Sequence, residues 1–101
     1  MNRLMLTALI AGSVGLASAA QAAPDAAAGK AKATNCGMCH GATGGGTPMG
    51  SKLAGEDPVK FIQAMNDYKS GKRDNSIMKN QASMFSADDI ANLAAYYASL
   101  K

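Results

Sequence analysis

Tryptophan is absent from this chain, histidine occurs once, at position 40, and cysteine twice, at positions 36 and 39. Three potential Cys or His ligands fall short of the four that a closed structural zinc site takes. With one imidazole there is no second histidine to serve as a separate acid–base group. Aromatic residues make up 5% of the chain, and no run of basic residues interleaves with them, which argues against nucleic acid as a partner. No pair of alternating strand patterns is present, so a thioredoxin-like dithiol, which needs a βαβ setting, has no scaffold here. The lysines at 52, 60, 69, 72 and 79 are scattered and read as solvated surface.

What is present is concentrated. Cys36-Gly37-Met38-Cys39-His40 is the C-x-x-C-H pattern of covalent haem attachment. One helical turn separates the thiols, so both sulfurs can reach one edge of a macrocycle and add across its two vinyl groups. His40 then lies under the iron as the proximal ligand. A plain disulfide would leave the adjacent histidine unexplained.

The N-terminus carries a different signal. Asn2-Arg3 opens a mostly apolar run from Leu4 to Leu16, and Ala20-Gln21-Ala22 has the small residues of a cleavage site. The run is short for a bilayer span. We therefore expect residues 1–22 to be a cleaved secretory leader, 23–101 to be one domain, and the product to be periplasmic with no stable membrane insertion. Cleavage after Ala22 leaves 79 residues with a formal charge of +2, one less than the +3 of the whole chain. Domains this small usually need a staple, and a buried haem would complete the core.

Three helices are legible, and the expected class is all-α. Asp25 caps a helix over 26–34, interrupted by Gly29. Asp57-Pro58 starts a second that ends at Ser70-Gly71, with Phe61, Ile62, Met65 and Tyr68 as its apolar stripe. Ser86-Ala87-Asp88-Asp89 is a capping box for the third, with Phe85 and Ile90 as a hydrophobic staple and Ile90, Leu93, Ala94, Tyr97 and Leu100 facing inward. The stretch 41–48 is too rich in glycine for regular structure.

A thioether is the usual partner of histidine in electron-transfer haem proteins. Met38 is trapped on the proximal side, Met49 follows His40 by nine positions, and Met65 belongs to a core stripe. Met78 and Met84 lie in the stretch before the last helix, expected to be irregular. Met78 is the freer of the two to reach across, with Met84 as the fallback.

These stretches together resemble a small class I c-type cytochrome of the bacterial c-553 type, and also one half of the tandem two-haem periplasmic cytochromes. The resemblance runs through Cys36–Gly41, Leu53-Ala54-Gly55, Tyr68-Lys69-Ser70-Gly71-Lys72-Arg73, Met78, and Ser86–Tyr97. It implies an all-helical fold around one haem c, with N- and C-terminal helices crossing at Gly29 and Tyr96. It places the distal methionine seven positions before Phe85, at Met78. It also implies a proline carbonyl bonded to the proximal imidazole; Pro48 stands five positions before Leu53, farther than is usual, which leaves that register open. The function implied is a monomeric periplasmic electron shuttle with transient redox partners, and not an enzyme. The alternative is a small-gas sensor or carrier with an open sixth site.

Overall fold

The computed structural model describes residues 23–101. The expected leader, 1–22, lies outside the described residues. Five helices follow in order: α1 Ala26–Lys32, α2 Thr34–His40, α3 Pro58–Ser70, α4 Ser76–Ser83 and α5 Ala87–Ser99. Among the described residues there is no strand, only an isolated bridge between Thr47 and Gly50.

The caps read from the sequence form as expected. The Asp25 side chain accepts from the backbone of Ala27 and Ala28, and Asp57 does the same for Val59 and Lys60. Ser86 and Asp89 exchange both bonds of a capping box. Gly71 ends α3 in the left-handed conformation.

Two elements differ from expectation. The first helix stops at Lys32, where the Ala33 N–H turns back to the Lys30 carbonyl, and α2 begins at Thr34 carrying the C-x-x-C-H residues. The segment holding Met78 and Met84 is not irregular. Asn75 caps it by accepting the Met78 N–H at 3.0 Å, and α4 runs to Ser83. Its asparagine and two serines are indifferent helix formers, so the tertiary contact with α3 carries it.

The core gathers Phe61 and Met65 of α3, Ala82 of α4, Phe85, and Ile90, Leu93, Ala94 and Tyr97 of α5. Met65 thus packs as its stripe position predicts. Tyr97 is buried and Tyr96 half-buried beside it, their ring centroids 5.0 Å apart. Across this core α1 crosses α5 at Gly29. The contact is with the backbone of Asn92 and Leu93, one turn before Tyr96; a Cβ at Gly29 would lie 2.0 Å from the Asn92 carbonyl oxygen. The Asn92 side chain also accepts the Asp25 N–H at 2.8 Å.

Candidate functional site

Helix α2 is the first wall of the site. It brings Cys36, Cys39 and His40 onto about one and a half turns, with both thiols free and half-buried. Burial pushes the Cys36 thiol up, partly offset by a hydrogen bond with the Tyr97 side chain. The Tyr97 phenol is held protonated well above its usual range by burial first and by Cys36 second.

His40 is oriented by a backbone atom. Its Nδ1 lies 2.7 Å from the Ser51 carbonyl oxygen. A carbonyl has no proton to give, so Nδ1 carries the hydrogen and donates. The neutral ring then keeps its lone pair on Nε2, the state in which imidazole binds a metal.

The acceptor is therefore Ser51, not Pro48, and the reason is local. Thr47 and Gly50 bond each other's backbones at 2.8 and 3.2 Å, which sends Pro48 and Met49 to an exposed tip. The Thr47 hydroxyl also donates to the Cys39 carbonyl, tying this clasp to α2. Ser51 emerges from the clasp beside the imidazole. No residue-type signal could have announced it, because every residue has a carbonyl.

Gly50 makes the clasp possible. A Cβ there would lie 2.8 Å from both the Cys39 carbonyl oxygen and His40 Nδ1. Gly50→Ala is expected to push the clasp off α2 and break the bond that orients the imidazole. Loss of such a partner typically costs about 10–100-fold in metal affinity. The acid concentration at which the low-spin ferric spectrum gives way should fall accordingly; an unchanged acid titration would show that Ser51 does not orient His40.

The segment 51–56 that follows the clasp, α2, α3 and α4 enclose a cleft of about 440 Å³, within the roughly 300–1,000 Å³ usual for ligand sites. Cys36, Cys39 and His40 line it, with Met78 on α4 and an apolar floor of Phe61 and Met65. Met78 is half-buried. Met84 does not line the cleft; it caps the C-terminus of α4 and is 57% exposed. Met49 is also exposed and off the cleft, while Met38 lies on it between the two cysteines. Gln81 also lines the cleft, and its buried Oε1 has no hydrogen-bond partner among the described residues. Two thiols one turn apart, an imidazole with Nε2 free, a thioether on a different helix and an apolar floor are a set of groups that a covalently held haem could use.

Comparison with known proteins bears on this arrangement. Residues 26–101 match the Cytochrome c family. The chain belongs to the cytochrome c family. Cytochrome c4 of Pseudomonas aeruginosa is 44% identical over 102 residues, taking in all of this chain and 50% of that protein. Cytochrome c-554(548) of Halomonas halodenitrificans is 37% identical over 81 residues, 76% of this chain and 98% of that one. Among solved structures, cytochrome c4 of Acidithiobacillus ferrooxidans superimposes with a TM-score of 0.70 at 32% identity, over 74% of this chain and 49% of that chain. The chain thus spans about half the length of the cytochrome c4 relatives. Its fold is the class I cytochrome c fold, and as a cytochrome c it carries covalently bound haem c with its iron.

Proposed function

We propose that this cytochrome c is a periplasmic single-electron carrier with one haem, held by Cys36 and Cys39 and ligated by His40 and Met78. The observation that carries this reading is the cleft itself, which has all four of these residues on its walls and leaves Met84 outside. The haem supplies the one-electron couple of its iron; the chain supplies the rest. Cys36 and Cys39 anchor one edge. His40 presents Nε2 from below because Ser51 holds Nδ1. Met78 on α4 would hold the iron from the other side, and Phe61 and Met65 would keep water from the floor.

With His40 and Met78 both holding the iron, no position would be left for substrate or gas, and that would favour a carrier over an enzyme or a gas sensor. The expected leader supports export to the periplasm. Among the described residues no helix is long and apolar enough to cross a membrane. Redox partners would dock transiently on the domain, through interfaces at the small end of the usual range, and the carrier itself would work as a monomer.

The test is chemical and spectroscopic. Acid–acetone extraction is expected to leave haem on the unmutated protein and to remove it from the Cys36→Ala, Cys39→Ala double variant; haem retained by the double variant would sink the attachment. The ferric holoprotein should show the far-red methionine–iron band and the ferrous form should refuse carbon monoxide. If the band is absent and carbon monoxide binds, the gas-binding reading replaces the carrier.

A further inference from the structure

We infer that Gln81 is a positioning residue for the distal ligand: its side-chain amide donates a hydrogen bond to the Met78 thioether and so sets how strongly that sulfur binds iron. The inference rests on the ligation proposed above and gives a task to a residue that reading leaves idle.

Gln81 is an odd residue for its place. It stands on the α4 wall of the cleft, half-buried, and its Oε1 is buried without a partner. Among the described residues it is the one side-chain atom in that state. Buried polar groups are bonded in all but a few cases, because a desolvated acceptor left alone is costly. A leucine would fill much the same space without that cost.

Met78 lies on the same wall, three positions earlier. Residues so spaced are neighbours on one helix face, with about 5–6 Å between their Cβ atoms. Glutamine and methionine side chains both reach across that gap. The rest of the neighbourhood offers less. Ile77, also on the wall, is apolar, and Met84 and Phe85 lie off the cleft. The Met78 backbone N–H is already taken by the Asn75 side chain at 3.0 Å.

A thioether sulfur accepts and has no proton to give. With one lone pair on iron, the other stays free. An amide oxygen beside such a sulfur finds no bond. A half-turn of the amide about its last torsion, which is broad in glutamine, presents the Nε2 hydrogens instead. Donation then draws electron density from the sulfur. Ferric iron loses more by that than ferrous iron, so the bond should raise the reduction potential.

The experiment compares Gln81→Leu, Gln81→Glu and Asn80→Leu as holoproteins, by the position of the far-red methionine–iron band, by potentiometry and by thermal unfolding. Asn80 is exposed, precedes Gln81 directly and does not line the cleft, so its variant loses an amide without the contact. Gln81→Leu is expected to keep the band but move it to longer wavelength, because charge leaves an unbonded sulfur more easily, and to lower the potential. Gln81→Glu should match Gln81→Leu at neutral pH, where an ionised carboxylate has no proton to donate. On acidification its band should return toward the unmutated position as the carboxyl gains a donor, a pH dependence that Gln81→Leu should lack. Asn80→Leu should change neither band nor potential. Band and potential unmoved in Gln81→Leu would overturn the inference and leave Oε1 to a water molecule. Loss of the band together with a lowered melting point would overturn it as well, since Gln81 would then hold α4 rather than the sulfur. A band missing from the unmutated protein is a different failure, that of Met78 as ligand, and removes this inference with it.

Discussion

Met78→Ala is expected to open the iron. The far-red methionine–iron band should disappear from the ferric spectrum, and carbon monoxide should bind the ferrous form. The reduction potential should fall, because a thioether favours ferrous over ferric iron. Axial ligands help move haem potentials over about 0.8 V, so a drop on the order of 0.1 V or more is expected. Met84→Ala is the matched control. Met84 is exposed at the end of α4 and off the cleft, so its loss should leave band and potential in place. If the band survives Met78→Ala and vanishes with Met84→Ala, the two methionines exchange roles and α4 must present its C-terminal end to the iron.

The second large effect is on stability, at Gly29. Alanine inside a helix is ordinarily a gain of about 1 kcal/mol over glycine. Here a Cβ would lie 2.0 Å from the Asn92 carbonyl oxygen and 2.9 Å from the Leu93 nitrogen. Both are backbone atoms, so no rotamer change can relieve the overlap, and α1 must lift off α5. Overpacking of this kind typically costs about 1–3 kcal/mol, occasionally more. The rigidity of the obstacle argues for the upper end. A net loss of roughly 2 kcal/mol in a domain of this size corresponds to a fall in melting temperature of about 8–16 °C. Thermal and denaturant unfolding of the Gly29→Ala holoprotein, followed by far-ultraviolet circular dichroism, would measure it. An unchanged midpoint would mean that the two helices do not cross at this residue.

Much of this was legible before any coordinates. The cysteines and histidine stand out because covalent attachment demands a fixed spacing of particular residue types. Helices α3 and α5 are legible because each has a capping residue, an apolar stripe and thirteen residues over which the pattern repeats. Helices α2 and α4 have seven and eight residues, too few for a period to show, and contain glycine, asparagine and serine. Their helicity depends on what they pack against. That gap had a direct cost at the distal side. Without α4, Met78 and Met84 share one irregular stretch and differ only in reach and in the position the resemblance assigns; with it, one lies on the cleft and the other at a solvent-facing cap. Ser51 and Gly50 were invisible for another reason. One acts through a carbonyl that any residue has, and the other through the absence of a side chain.

The crossing of α1 and α5 also governs the order in which this chain can assemble. The bond from Asp25 to Asn92 closes a loop of 67 positions. Closing it carries an entropy cost that grows with the logarithm of its length, and contacts of such range slow folding. Helix α1 packs against α5 far more than against its neighbour α2, so it has little to hold it until the C-terminal end arrives. Cys36 and Cys39 follow α1 directly and inherit that delay. Until α5 docks, the two thiols lie on a segment whose preceding helix has little to hold it. The docking of the last thirteen-residue helix brings the Tyr97 side chain into hydrogen-bond contact with Cys36, and so ties the first attachment residue to the C-terminal end of the chain.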